Sequence, residues 1–558
     1  MPLPEPRITQ EKPWVDSLTI GEVLRKTAQA FPDHDGLVFP KINLHMSYAE
    51  YDRQVDTIAK GLLALDIHKG DHVALWATNV PEWPLLQMAT ARIGAVLVNI
   101  NPAYGLHDLE YALTQCDMKA LFLIDRFRSS DYFAMLTTLM PELKEPGTIA
   151  NEKFSFLKSV VSIRSNAPDG MLRWEDFLAR GKVVDDFILA DKAGVVEPDD
   201  LVNIQYTSGT TGRPKATMLS HRNILLNAYY VTECQSITEK DRMCIAVPFY
   251  HCFGCVMGTL GAVVRGAAMV SPAEYFDAAA TLETLESEKA TVIYGVPTMF
   301  VAMLEEKDVD SRDFSALRTG VMAGALCPPN LMRDVIERMG ADEITIAYGL
   351  TEASPVITQT RTGDPVELRV ETIGKPLPGI EVKIIDINDG GKTLGVGQPG
   401  ELCCRGHNVM LGYYKNSEAT EKTIDADGWL HSGDVAVMRK DGYYKITGRI
   451  KDMVNRGGEK IFPDEIEAFL LTQGAIEEVA VVGVPDKKYG EELCAWIRLH
   501  KSKTLSEDDI RAFCKGKIAH YKVPRYMKFV ESFPLTVTGK IQKFKIRQQA
   551  AKELGFEV

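Results

Sequence analysis

Residues 206–216 read YTSGTTGRPKA. Within them lie the hydroxyls of Thr207, Ser208, Thr210 and Thr211, the glycines Gly209 and Gly212, then Arg213, Pro214 and the ammonium of Lys215. That set suits a phosphate chain. Glycines let backbone N–H groups approach oxyanions, hydroxyls donate hydrogen bonds, and the lysine adds a point charge. Such composition also describes an ordinary surface turn, and composition alone does not separate the two. A Walker A loop is excluded, because Arg213 and Pro214 stand between Gly212 and Lys215.

The stretch must be held by its neighbours. Leu201, Val202 and Ile204 before it read as a strand, and residues 217–230 after it have mixed helical spacing, so a strand–loop–helix unit is expected. Residues 71–101 read strand, helix, strand, which implies parallel strands and a right-handed crossover. Residues 119–125 add a buried strand. The pattern returns at 290–305 and at 317–348, where Pro328 and Pro329 open the intervening helix. The fold class expected is α/β: a large N-terminal domain of doubly wound βα subdomains, with ligands at the carboxyl ends of strands. Residues 380–387, 400–405 and 434–447 are strand-like, with a hairpin turn at Asp441-Gly442, and form a small β subdomain. Residues 451–463, KDMVNRGGEKIFP, read as a linker or mobile loop. Strands at 478–484, 493–500 and near Met527, with a helix over 507–519, make a smaller α+β domain. The expected division is 1–450 and 451–558.

Length and charge narrow the function. A chain of 558 residues, 45% hydrophobic and 25% charged, can bury several cores. A net charge of −13 disfavours nucleic acid as a partner, since neutralising phosphates needs a basic face. The opening residues lack the apolar core of a secretory signal, and apolar runs such as 255–264 fall short of a membrane span, so a cytoplasmic protein without an integral membrane segment is expected. The ten cysteines include Cys252 and Cys255 as C-x-x-C but show no second pair at zinc-finger spacing. They read as buried free thiols rather than disulfides or metal ligands.

Other polar clusters lie far apart: AYGLTEAS at 347–354, HSGDV at 431–435, Gly448-Arg449, and PLTVTGKIQKFKIR at 534–547. Taken along the chain, the order YTSGTTGRPKA, YGLTE, GELCCRG, HSGDV, GRIKDM, RGGEKIFPDEIE and PLTVTGKIQK resembles the acyl-adenylate-forming superfamily of acyl-CoA synthetases, amino-acid adenylation domains and beetle luciferases. The resemblance covers roughly residues 20–547. VPFYHCFG, YGVPTMF and KGKIAHYKVPRY look most like medium-chain fatty-acyl-CoA synthetases. Two positions depart from the pattern: Ala216 stands for a common glycine and Ser432 for a common threonine.

The resemblance implies ATP, Mg²⁺ and coenzyme A as cofactors and co-substrates, and a role for each matching residue. Residues 207–215 would cradle the β- and γ-phosphates. Tyr348 would lie against the adenine, with Gly324 and Ala325 on its other side and Gly349 bordering both nucleotide and acyl group. Thr351 would bond the α-phosphate, Glu352 would hold Mg²⁺, and Asp434 with Arg449 would take the ribose hydroxyls. Lys540 would bridge carboxylate and phosphate during adenylation. For the second half-reaction the C-terminal domain would turn about Lys451, bringing Gly457, Gly458 and Glu459 to the pantetheine of coenzyme A.

His251 would gate the acyl pocket, with Tyr294 and Val296 as walls. Amino-acid-activating relatives usually have an aspartate in the segment matching PFYHCFG, so an acid with an apolar tail fits better than an amino acid. The expected activity is an AMP-forming fatty acid–CoA ligase, medium-chain by preference. Alternatives are an aryl- or branched-acid ligase, a ligase that loads a carrier protein, and a silent nucleotide-binding module. A homodimer is compatible with the sequence but not specified by it.

Overall fold

In the computed structural model, described for residues 12–144, 149, 151–164, 167–207, 214–325, 327–389, 391–457, 459–535 and 541–556, the first βαβ unit sets the frame. Strand His72–Trp76 is buried at every position, and strand Val96–Asn99 lies parallel to it. The connecting helix Glu82–Arg92 is buried nearly all round, from Trp83 to Arg92. It packs on helices Ile20–Ala30 and Tyr48–Ala64, and Gln87 Nε2 donates to Cys255 O at 2.9 Å. Buried Arg92, at its C-terminal end, is paired with Asp52 and Asp56, each at 2.5 Å. A buried guanidinium left unpaired would cost several kcal/mol, on the order measured for broken internal ion pairs.

Two large mixed sheets form around this frame. The eight-stranded sheet runs, by position, 412–413, 215–220, 201–207, 96–99, 72–76, 118–123, 159–162, 172–173. The nine-stranded sheet runs 375–376, 356–359, 343–349, 319–323, 292–295, 242–245, 268–270, 35–39, 44–47. Both have parallel centres; the nine-stranded sheet is antiparallel at both edges, and the eight-stranded sheet only at the edge of 412–413, 215–220 and 201–207. Helices Pro297–Leu304 and Pro329–Met339 each begin on proline, whose missing N–H costs nothing there.

The strand–loop–helix expectation at 201–230 is corrected. Strand Leu201–Thr207 is followed by a second strand, Lys215–Ser220, antiparallel to it with Thr207 opposite Lys215. The helix starts only at His221, capped by Ser220, whose Oγ accepts the Asn223 N–H. The run KATMLS is short and flanked by a turn, so its pattern does not separate strand from helix.

The β subdomain is a four-stranded antiparallel sheet of Ile380–Ile385, Gly400–Gly406, Leu430–Met438 and Tyr444–Arg449. Residues 451–463 depart from the linker reading. Strands Val454–Arg456 and Glu459–Ile461 pair with each other, and the first joins the C-terminal sheet at Gly490. Buried Val454 and Ile461 anchor the hairpin in the small domain's core, which charge and glycine content concealed. The rest of that domain is a long hairpin, Ile476–Asp486 with Gly490–Leu499, with Tyr526–Phe529 parallel beside it. Its helix Glu507–Cys514 ends five residues earlier than expected, where the chain turns through Gly516 at φ +74°. Among the described residues no helix is long and apolar enough to cross a membrane.

Candidate active site

Residues 208–213 lie outside the described residues, but the strands on either side of them, ending at Thr207 and starting at Lys215, are in place. Thr207 Oγ1 donates to Glu352 Oε1 at 3.1 Å, and the Tyr413 hydroxyl donates to the same oxygen at 2.9 Å. Tyr413 arrives from the β subdomain because Gly412–Tyr413 adds a strand to the edge beside Lys215–Ser220. Its ring faces Lys215, whose Nζ is 4.6 Å from the centroid. A hydroxyl, a carboxylate, a phenol and an ammonium therefore converge at these strand ends. Pro214 accepts from the Tyr111 hydroxyl at 3.2 Å.

Glu352 belongs to a continuous site segment at the carboxyl end of strand Glu343–Gly349. At its start, the Tyr348 hydroxyl donates to Asp434 Oδ2 at 2.7 Å, and Arg449 Nε pairs with Asp434 Oδ1 at 3.0 Å. Asp434 and Arg449 face each other across their strands. Burial pushes the Asp434 carboxyl up, against the opposing pull of Arg449 and the Tyr348 hydroxyl. Asp434 in turn raises Arg449, and burial holds Tyr348 well above the ordinary phenol range. The three form a polar group with a fixed carboxylate. Gly324 leaves the neighbouring strand beside Tyr348, with Ala323 opposite Ala347, and its φ of +90° favours glycine. Gly324 and Ala325 are both exposed there.

Gly349 has a packing reason of its own: a Cβ there would stand 1.8 Å from the Pro355 oxygen. Beyond it, buried Thr351 places Oγ1 3.6 Å from Cys252 Sγ, and that sulfur is 3.5 Å from His251 Nδ1. The Phe253 N–H donates to the same Nδ1 at 3.1 Å, so a neutral ring carries its proton on Nε2. Phe249 and Phe253 are buried beside His251. Tyr294, fully buried, lies 5.7 Å from the Phe253 ring and accepts from Gln235 Nε2 at 3.0 Å. Val296 is buried at the head of helix Pro297–Leu304.

A buried amide ladder ties these groups to strand Leu201–Thr207. Gln205 donates to Asn203 at 2.7 Å, Asn203 to Asn99 at 3.0 Å, and Asn99 to Tyr250 O at 2.9 Å. Sequence reasoning missed this ladder, and it missed Tyr413 and Cys252 as site neighbours. Asn203 and Gln205 alternate with apolar residues on a buried strand, which was a usable signal; nothing near Tyr413 pointed to Glu352. The two departures fit their local surroundings. Buried Ala216 sits in a strand opposite Tyr206, and Ser432 Oγ still bonds Leu402 O and the Asp434 N–H.

Residues 208–213, Gly458 and Lys540 lie outside the described residues. Lys451 falls in the short turn Ile450–Asp452. Among the described residues, Gly457 and Glu459 make no hydrogen bond or ion pair to the Glu352 or Asp434 groups; they flank the turn of the C-terminal hairpin.

Two mixed sheets, a β subdomain and a small C-terminal domain, meeting at these polar strand ends, define the adenylate-forming enzyme fold. The sequence profile of the AMP-binding enzyme matches residues 24–414, and that of the AMP-binding enzyme C-terminal domain matches 465–540. YngI of Bacillus subtilis (strain 168), provisionally named an acyl-CoA synthetase, is 51% identical over 95% of this chain and 97% of its own. The mitochondrial medium-chain acyl-CoA ligase ACSF2 of Rattus norvegicus is 41% identical over 96% and 88%. The crystal structure of the anthranilate CoA ligase AuaEII in complex with anthranoyl-AMP superposes with a TM-score of 0.84 at 27% identity, covering 97% of this chain and 98% of that one. The chain belongs to the AMP-binding enzyme family, among its acyl-CoA synthetases, the AMP-forming ligases.

Proposed function

We propose that this chain joins a medium-chain fatty acid to coenzyme A at the expense of ATP. A carboxylate oxygen of the acid bonds to the α-phosphorus as the bond to pyrophosphate breaks. The thiol sulfur of coenzyme A then bonds to the acyl carbon, releasing AMP. The observation carrying this reading is that the fold gathers Thr207, Lys215, Tyr413 and Glu352, joins Tyr348 to Asp434 and Arg449, and sets Thr351 beside Cys252 and His251, all around the segment 348–352. The rings of Phe249 and Phe253 beside His251 are apolar and buried, which suits an apolar tail better than an ammonium.

Thr207, the turn after it and Lys215 would bind the β- and γ-phosphates. Asp434 would accept the ribose hydroxyls, with Arg449 holding its charge, and Thr351 would donate to the α-phosphate. Glu352 would hold Mg²⁺: its Oε1 is already oriented by two donors, while no described residue hydrogen-bonds Oε2. When bound, Mg²⁺ offsets charge on the departing pyrophosphate. Lys540 would bridge carboxylate and phosphate in the first half-reaction. Residues 451–558 would then turn about Lys451 as a mobile domain, so that Gly457, Gly458 and Glu459 line the coenzyme A channel.

The test is AMP release with ATP, Mg²⁺ and coenzyme A across straight-chain acids from acetate to palmitate, with benzoate alongside. A maximum at medium chain length supports the reading. Activity confined to benzoate keeps the chemistry and replaces the substrate, an outcome the anthranilate ligase's similarity makes worth including. Silence with every acid, while acyl-AMP forms without coenzyme A, points to a carrier-protein acceptor.

A further inference from the structure

On the β subdomain, apart from Glu352, the ligand atoms of Glu401, Cys403 and His431 all lie within 4.8 Å of one another. Glu401 and Cys403 are two residues apart on strand Gly400–Gly406 and so share a face. His431 pairs directly across from Cys403, with a register shift between Glu401 and Cys403. Its Nδ1 is 3.0 Å from Glu401 Oε2 and 3.6 Å from Cys403 Sγ. A tetrahedral zinc with bonds of about 2.0–2.3 Å needs such ligand atoms roughly 3.3–3.6 Å apart.

The far side of the ring carries a second, independent feature. His431 Nε2 faces Asp425 Oδ2 at 3.6 Å, and the other Asp425 oxygen is pinned by the N–H groups of Asp427 at 3.0 Å and Trp429 at 2.8 Å. Carboxylate, imidazole, then metal is the order in which ligating histidines are oriented. Lys383, opposite Cys403 on the other flank, turns its ammonium onto the Trp429 ring, 4.2 Å from the centroid. The thiol is buried, while the Glu401 and His431 side chains are 14% and 26% exposed, which leaves a water-accessible approach.

We infer that Glu401, Cys403 and His431 form a binding site for a thiophilic divalent cation of the zinc class, with Asp425 orienting the imidazole and a fourth position left to water. Sulfur and imidazole donors select against Mg²⁺, so the site does not duplicate the one offered by Glu352. It also reaches the nucleoside end. Glu401 Oε1 accepts the Gly433 N–H at 3.0 Å, one residue before Asp434, and Ser432 Oγ bonds Leu402 O at 2.6 Å. A cation here would brace the two strands that hold Asp434. The cysteines read from sequence as plain buried thiols would then include one ligand, Cys403.

The experiment is a Co²⁺ titration of the full chain after chelator treatment, followed by absorption. One equivalent should produce a near-ultraviolet thiolate-to-cobalt band with tetrahedral visible bands, and Zn²⁺ should displace it. Cys403→Ser should abolish the thiolate band, whereas Cys404→Ser, on the opposite face, should keep it. Asp425→Asn should weaken binding about 10- to 100-fold. His431→Gln, which leaves the thiol in place, should weaken it at least as much and covers the case in which Cys403→Ser does not fold. Absence of the thiolate band in the unaltered protein, or its persistence in Cys403→Ser, would overturn the assignment.

Discussion

The Tyr413 hydroxyl and the Thr207 hydroxyl donate to one oxygen of Glu352, at 2.9 and 3.1 Å, although the three residues come from three separate parts of the chain. The pair fixes the carboxylate's direction beside Lys215, and the Tyr413 ring supports that ammonium from below. Tyr413→Phe removes one donor and keeps the ring. Adenylation, followed as pyrophosphate release, should fall roughly three- to tenfold, the effect of about 1 kcal/mol for one hydrogen bond. Tyr413→Ala should fall further, because the cation–π support worth about 0.5–2 kcal/mol goes too. An unchanged rate in Tyr413→Phe would mean that Glu352 orientation does not limit the first half-reaction.

Asp434→Asn keeps an acceptor for the Tyr348 hydroxyl but strips the charge that Arg449 pairs with at 3.0 Å. If Asp434 takes the ribose hydroxyls, the KM for ATP should rise about 10- to 100-fold, since hydrogen bonds to a charged group contribute about 1.5–3 kcal/mol. The KM for the fatty acid should move little. Equal increases in both would place Asp434 outside the nucleotide subsite.

The large features were legible because they rest on period and punctuation. The apolar runs at 72–76 and 96–99 with a helical segment between them could only be a βαβ unit, and Pro329 marked a helix start. The candidate site residues were legible as motifs in polar patches, and the fold brings Thr207 to Glu352 and Tyr348 and Arg449 to Asp434. Pairing partners were not legible. Nothing local says that residues 215–220 fold back on 201–207, because a six-residue run fits either period. The hairpin at 454–461 was hidden by its charges, since only Val454 and Ile461 face the core. Tyr413 was missed for a related reason: it reaches Glu352 through an edge-strand pairing that no motif encodes.

The two half-reactions should separate by mutation. Lys540→Ala is expected to abolish acyl-AMP formation while largely sparing thioester formation from supplied acyl-AMP, because an ammonium between carboxylate and phosphate matters only while both are charged reactants. Gly458→Leu is expected to do the reverse, slowing thioester formation while adenylation persists, since a branched side chain would fill a channel needing close backbone approach. Both are read by single-turnover assays with ATP and acid, or with acyl-AMP and coenzyme A. Equal loss in both assays for Lys540→Ala, or unimpaired thioester formation in Gly458→Leu, would remove the corresponding role.

Acid sensitivity has a specific source in His221. Its ring is fully buried at the head of helix His221–Cys234, and Nδ1 accepts the Ile20 N–H at 3.1 Å, tying the first helix to the loop-bearing hairpin. Burial pushes the ring down to about 3, so the folded protein keeps it neutral, whereas an unfolded chain protonates its histidine near 6.5. Between those values the unfolded state binds the extra proton. Stability therefore rises with pH across that window, by up to about 1.4 kcal/mol per unit from this group, and gains nothing from it above 6.5. His221→Gln offers an amide oxygen to the Ile20 N–H and cannot titrate. Urea midpoints measured between about pH 4 and 6 should climb less steeply in the variant than in the unaltered chain, by the slope of one proton. Parallel slopes would show that His221 is not what acid attacks, and would shift attention to carboxylates held below their ordinary range: Asp66, by His68 and then Lys119, and Asp186, by Lys60.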